Sequence, residues 1–207
     1  MKYLKMAGLA AVAAMALMAF GAGTASATTL CTETATPCPE AKQITPQNDA
    51  HIVATLTHGE LFTTGNTGNP LVTCKHGRLT STVADAGSST TTAKSLNDEL
   101  KFEECNTTPT VVKPGTLEIH HIAGTHNGTV TVKEAEVTVH IFGVACTYGA
   151  VGAATIDLGI LETTTLTVNT IVNKVAGGFL CPSTTGWDTS GHLVGGSTTP
   201  SVIYVEP

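Results

Sequence analysis

Six cysteines, at positions 31, 38, 74, 105, 146 and 181, all follow an N-terminal segment built like a secretion signal. This pairing constrains the fold more than any other feature. Thiols exported from the cytoplasm meet an oxidising compartment, where they pair and cross-link the chain. Lys2 and Lys5 make a basic start, Met6 to Phe20 is an unbroken apolar and small-residue run, and Ala25-Ser26-Ala27 reads as a small-x-small cleavage site. The run of 15 residues is shorter than the roughly 20 that span a bilayer. Residues 1–27 are therefore expected to be a signal peptide that is removed. Cys31 follows Leu30 instead of a small residue, so lipid modification is not expected. Ser201 to Pro207 carries no apolar tail, basic stop-transfer run or LPxTG-type motif. The expected product starts near Thr28, is secreted or otherwise placed outside the cytoplasmic membrane, and does not insert into the membrane once the signal is cut.

Without Lys2 and Lys5, eight basic residues face sixteen acidic ones, a net charge near −8 with His neutral. Phosphate backbones and anionic lipids attract Lys and Arg, which here are few and scattered, so neither a nucleic-acid partner nor an anionic membrane partner is expected. Threonine is the dominant residue, with 38 copies. It is β-branched, favours extended backbone and tolerates water through its hydroxyl. A Thr-rich chain with 13% charged and 4% aromatic residues reads as a sheet protein with threonine on its wet faces.

Residues 28–49, with prolines at 37, 39 and 46, read as an extended Thr/Pro-rich arm; residues 50–207 read as a single β domain. Expected strands are His51–Thr57, Leu71–Cys74 and Arg78–Ala84 as a hairpin, and Ser95–Cys105. Gly65 to Pro70 is an expected loop and Ala86 to Thr92 an expected flexible connection. Thr116–Ala123 and Thr129–Glu134 flank Thr125-His126-Asn127-Gly128, whose Asn-Gly dipeptide tolerates positive φ and so predicts a hairpin. Glu136–Phe142, Ala154–Ile160, Thr164–Val172 and Val202–Glu206 complete about ten strands. No segment sustains a helical apolar stripe. The expected fold class is all-β: a mainly antiparallel sandwich or flattened barrel, stapled by disulfides.

Six cysteines allow 15 connectivities. On this strand layout the natural ordering joins neighbours in sequence: Cys31–Cys38, Cys74–Cys105 and Cys146–Cys181. The two larger loops would each stabilise by roughly 3.5–4 kcal/mol in the chain-entropy picture. There is no C-x-x-C and no clustered Cys/His spacing to suggest zinc.

Several motifs, taken together, resemble a recurring pattern in small secreted all-β proteins of actinobacteria. They are Leu71-Val-Thr-Cys74 followed by Leu100-Lys-Phe-Glu-Glu-Cys105, Ala145-Cys146-Thr147-Tyr148, Cys181-Pro182 with Trp187 six residues on, and Pro200-x-x-x-Tyr204-Val205. The likeness covers most of residues 71–207 and leaves out the arm. It implies export and an all-β domain, agrees with the sequential cysteine pairing, and implies no activity. The immunoglobulin pattern does not fit, because Trp187 follows Cys181 and no Tyr stands two residues before a second cysteine.

Candidate chemistry is sparse. His120, His121, His126 and His140 fall in one hairpin region. Neighbours on a strand face opposite ways, so His120 and His121 cannot share a face. If His140 came beside His120, with Glu118 or Glu136 near, a divalent metal could be held; otherwise these are surface histidines of a hairpin. A glycosidase needs two facing carboxylates, and Glu118, Glu134, Glu136, Asp157 and Glu162 are available but unpaired by the sequence. Serine-hydrolase, zinc-protease, EF-hand, P-loop and dinucleotide motifs are missing. Tyr148 and Trp187 either stack on a sugar or pack over the neighbouring disulfides. Asn106-Thr-Thr and Asn127-Gly-Thr are acceptor sequons that matter only in a eukaryotic secretory route. The expected function is a non-catalytic structural or ligand-binding domain at or near the cell envelope, with an envelope glycan or protein as possible partner and no cofactor. The alternative is a secreted carbohydrate-active hydrolase.

Overall fold

The computed structural model describes residues 28–48, 50–62, 70–88, 92–149, 155–162, 164–195 and 201–207. The expected signal peptide and loop residues 65–69 lie outside these. The described chain is almost wholly extended. It begins with β1 (Thr29–Cys31) and a single 3₁₀ turn (Glu40–Lys42), followed by β2 (His51–Phe62), β3 (Pro70–Asp85), β4 (Ala93–Cys105), β5 (Thr110–Lys113) and β6 (Thr116–His121). Then come β7 (Gly128–Lys133), β8 (Glu136–Ile141), β9 (Val144–Gly149), β10 (Thr155–Glu162), β11 (Thr165–Gly177), β12 (Thr184–Gly195), β13 (Ser201–Val202) and β14 (Tyr204–Glu206). Alternation explains the long strands. In β11 the side chains of Leu166, Val168 and Val172 point inward, while Thr165, Thr167 and Asn169 face water.

The fold is all-β and antiparallel, and the sheet curls into a barrel. Pairing runs β2-β3-β4-β6-β7-β10-β11-β12, and β12 pairs back onto β2. The ring closes fully at one end only. The start of β11, Thr165 to Thr167, pairs with β10, but its far end, Asn173 to Gly177, pairs with β9 on the same edge. From β9 a three-stranded leaf, β9-β8-β5, leaves the ring.

The closed end is plugged. β1 and β14 form a two-stranded ribbon, with Thr29 opposite Glu206 and Cys31 opposite Tyr204. Leu30, Ile44, Ile203 and Val205 are fully buried and belong to the same core as Ile52, Val83, Ile119, Val130 and Leu193 of the barrel. The Thr/Pro-rich arm thus supplies part of the core. The plug has polar ties as well: Thr28 N–H of the arm donates to the Ser88 carbonyl (3.0 Å), and Val205 N–H of β14 donates to the His126 carbonyl (3.0 Å). The buried Glu206 carboxylate accepts from Thr36 Oγ1 (3.0 Å) and pairs with His126 Nδ1 (2.7 Å).

The cysteines form three disulfides, Cys31–Cys38, Cys74–Cys105 and Cys146–Cys181. Cys74 and Cys105 stand directly opposite each other on β3 and β4.

Three local expectations change. Leu71–Cys74 and Arg78–Ala84 are not a hairpin; β3 runs straight through Lys75-His76-Gly77. Gly77 is there because Leu56 Cδ1 and the Lys101 carbonyl crowd its Cβ position at 3.0 and 3.1 Å. The β6–β7 hairpin forms, but positive φ does not fall at Asn127-Gly128; His121 pairs with Gly128 across a loop whose positive-φ residue is Gly124. At Gly128 the missing side chain leaves room for Val205 of the plug and the His120 carbonyl, both 3.0 Å from a Cβ built there. Lastly, β12 supplies a ring strand where none is expected, because its inward positions include Gly191 and Gly195. A side chain at Gly191 would strike the Thr55 carbonyl, and one at Gly195 would strike Ile44 of the plug.

Because Ile44 is fully buried, Ile44→Ala is expected to cost about 2–5 kcal/mol in urea unfolding. Leu96→Ala, at an exposed position, is expected to stay within about 0.5 kcal/mol. A cost below about 1 kcal/mol for Ile44→Ala would show that the arm is not part of the core.

Candidate functional site

An apolar cavity of about 120 Å³ lies inside the curled sheet. Its inner wall includes Ala54 and Leu56 of β2, Leu79 of β3, Leu117 of β6, Val132 of β7 and Val168 of β11. Toward the splayed end it is lined by Phe102, Val137, Val139, Tyr148, Val172 and Trp187. Its position follows from the topology. The plug fills the closed end, whereas the departing leaf leaves unfilled volume between β8, β9 and the ring.

The polar groups of the lining are mostly engaged within the protein. Asn97 donates through Nδ2 to the Pro114 carbonyl (2.7 Å) and accepts from Ser81 Oγ (2.5 Å). Thr189 Oγ1 donates to the His58 carbonyl. Tyr148 OH donates to the Pro182 carbonyl (3.3 Å), and burial pushes its phenol above the ordinary range. Glu60, half-buried, is the one charged residue among those lining the cavity. Such a space suits an apolar guest, because its hydrogen-bonding side chains are already occupied.

The histidines and carboxylates singled out from sequence do not converge. β6, which carries His120 and Glu118, and β8, which carries His140, are not neighbours in the sheet. No group of three potential metal ligands occurs among the described residues. His120 Nδ1 faces Thr92 Oγ1 (3.3 Å), and His126 is held by Glu206. Glu118, its side chain 10% exposed, is bound by Lys133 (2.8 Å) and Lys94 (3.5 Å). Burial pushes its carboxyl up, but the hydrogen bond and charge of Lys133, with Lys94 beside it, outweigh that and hold it below its ordinary value. Glu136 is paired with Lys113 (2.5 Å). The side chains of Asp157 and Glu162 lie outside what the structure describes. Tyr148 is buried and Trp187 is packed against the core, so neither offers an open sugar platform. Asn106 ties the ends of β3 and β4, accepting from Thr73 N–H (3.0 Å) and donating to the Leu71 carbonyl (3.2 Å).

One arrangement was invisible in the sequence. On the outer face of β2 and β12, Ser190 Oγ lies 3.3 Å from His58 Nδ1, and His58 Nε2 lies 3.3 Å from Asp188 Oδ1. Asp188 also accepts from Asn169 Nδ2 (2.7 Å). These are the residue types of a Ser-His-Asp relay, brought together from positions about 130 residues apart, but with the two ring nitrogens interchanged relative to a catalytic triad. Acyl transfer also needs preorganised oxyanion donors and exclusion of water. This row stands on an open sheet face, with His58 and Asp188 each a third or more exposed, and Ser190 does not line the cavity. It is a surface network.

Comparison with known proteins finds no matching family model, no matching curated protein and no matching solved structure. Among the described residues no helix is long and apolar enough to cross a membrane.

Glu118 yields a pH prediction. Its folded pKa is depressed, so its stabilisation is complete above the unfolded carboxylate value of about 4.3 and is lost as pH falls through the lower folded value. Both lysines are partly exposed, which screens the pair. Glu118→Gln is therefore expected to cost about 1 kcal/mol at pH 7, with the gap narrowing below about pH 4. Urea unfolding of both chains at pH 7 and pH 3 checks this; a gap that widens in acid contradicts it.

Proposed function

We propose that the protein is an exported, non-catalytic binding domain that works at or near the cell envelope and holds a small apolar ligand inside its curled sheet. The cavity between ring and leaf carries this reading. A cavity of about 150 Å³ lined by aliphatic and aromatic groups takes up a benzene-sized guest. Here about 120 Å³ is available, which matches one small ring or a short alkyl chain. The leader with its cleavage site, and three disulfides with no free cysteine among the described residues, support export into an oxidising compartment. A catalytic reading has less support. Glu118 and Glu136 are engaged by lysines, and the serine relay lies away from the cavity.

Trp187 is the chain's one tryptophan and lines the cavity, which makes its emission a direct reporter. Toluene, indane and hexanol, titrated separately, are expected to change Trp187 emission. They should also raise the melting temperature, as any ligand selective for the folded state does. Val168→Phe, which fills the space from β11, is expected to abolish both effects while the chain remains folded by circular dichroism. The binding reading fails if no probe moves either signal up to its solubility limit, or if Val168→Phe leaves the response intact.

A further inference from the structure

Two adjoining turns at the splayed end carry an unusual surface. Phe142, in the β8–β9 turn, is 81% exposed; Phe179 and Leu180, in the β11–β12 turn, are 93% and 51% exposed. In a chain with five phenylalanines, two thus stand in water at one tip. The turns are held side by side. β9 pairs with β11 so that Gly177 faces Cys146, and Cys146–Cys181 links the two hairpins just beneath the tip. Lys174 Nζ donates to the Cys181 carbonyl (3.2 Å) and lies 3.5 Å from that of Gly178, tightening the second turn. Gly177 cannot take a side chain, since its Cβ would meet Cys181 Sγ at 2.6 Å.

Folding does not account for Phe142. The β8–β9 connection is a two-residue turn, with φ of 51° at Phe142 and 80° at Gly143. This is the type I′ pattern, in which Asn or Gly is favoured at the first position. A bulky aromatic with positive φ is disfavoured. Phe142 therefore occupies a position that suits it poorly while burying little of its ring. Strain of this kind, where no packing repays it, points to a role outside folding.

Charge supports the same conclusion. The chain is acidic overall, yet residues 137–156 and 163–187 contain no Asp or Glu. Those stretches include both turns and carry Lys174 and His140. The carboxylates of β2 and β4 at this end belong to Glu60, Glu103 and Glu104, and Glu104 is paired with Lys75 (2.8 Å). The two turns thus expose apolar side chains and hold no Asp or Glu of their own, in a chain that is acidic overall.

We propose that the Phe142–Phe179–Leu180 tip inserts into the interfacial layer of a lipid bilayer and docks the barrel with its splayed end toward the membrane. Protruding aromatic side chains suit the soft headgroup–acyl boundary, and disulfide-tied turns lose little freedom on insertion. The attachment is peripheral, with no strand or helix crossing the bilayer. Because the net charge of the chain is negative, it is repelled by an anionic surface at long range. Salt screens that repulsion without weakening apolar insertion. Binding to anionic vesicles should therefore rise with salt, opposite to a polybasic anchor.

Vesicle flotation tests this, using zwitterionic phosphatidylcholine vesicles and vesicles with added phosphatidylglycerol, each at low salt and at high salt. Every variant is compared with the unmodified chain carrying the same N-terminus. The unmodified chain is expected to float with zwitterionic vesicles, and with anionic ones more strongly at high salt. Phe142→Asn relieves the turn and should leave the melting temperature equal or higher, yet lower the partition coefficient on the order of tenfold. Phe179→Ser should do the same to partitioning, and the double variant should lose on the order of a hundredfold. The proposal is overturned if the unmodified chain floats with neither vesicle, or if the double variant floats equally well. It is also overturned if the tip substitutions convert a dimer to a monomer in sedimentation while vesicle binding is unchanged, which would make the tip a self-association surface. None of these outcomes depends on whether the cavity binds a ligand.

Discussion

One edge of β11 can hold only one neighbour at any level, and the structure follows from how that edge is divided. Its first residues hydrogen-bond to β10 and close the ring; its last pair with β9 and carry the leaf away from it. A sheet closed along its whole height would bring β10 beside Val172 and leave no reason for unfilled space. Dividing the edge makes one end narrow enough to be sealed by four plug residues, Leu30, Ile44, Ile203 and Val205. The other end stays wide, with its volume bounded by side chains of the leaf. The cavity, the disposition of the two turns and the placement of Cys146–Cys181 all derive from this branching.

Legibility in the sequence followed how evenly apolar side chains alternate. In β7, Gly128, Val130 and Val132 are buried while Thr129, Thr131 and Lys133 are half-buried, and the strand is read directly from Thr-Val-Thr-Val. The same regularity makes β2, β8 and β11 recognisable, although their ends are not. β12 fails the test because its inner face must be nearly flat where it approaches Thr55 and Ile44, so glycine occupies positions where a pattern search looks for Val or Ile. In β3 a stretch with the composition of a turn, Lys75-His76-Gly77, is a continuous strand, since Gly77 answers to crowding by Leu56 and Lys101 and not to a reversal of the chain. Each misreading has the same origin: a glycine selected by a neighbour distant in sequence looks like a glycine selected by its own φ.

The candidate site was less legible than the fold for a related reason. Its wall takes one or two side chains from many strands, and none of these positions departs from ordinary core composition. Titratable residues attracted attention in the sequence because they are rare, but the structure engages them locally. Glu118 lies under two lysines, Glu136 against one, and Glu206 is sealed beneath His126 and Thr36. The buried carboxylates Glu118 and Glu206 are each met by hydrogen-bonding or basic side chains brought from other strands or loops. The relay from Ser190 to Asp188 depends on register between β2 and β12, which no local motif encodes.

The polarity of the interior bears on what the barrel can hold. A water-filled barrel of this size would keep hydroxyls and amides pointing inward with free lone pairs. Here Asn97, Ser81, Tyr148 and Thr189 do point inward or lie at the wall, but their hydrogen bonds run back to protein: to Pro114, to one another, to Pro182 and to His58. A guest that enters this space cannot exchange hydrogen bonds with those groups without leaving their present partners unsatisfied, at a cost of about 1–3 kcal/mol for each. Apolar guests carry no such cost and gain from the wall by contact alone. If the cavity takes a guest as proposed, discrimination against polar molecules would follow from these internal hydrogen bonds, with no dedicated recognition residue.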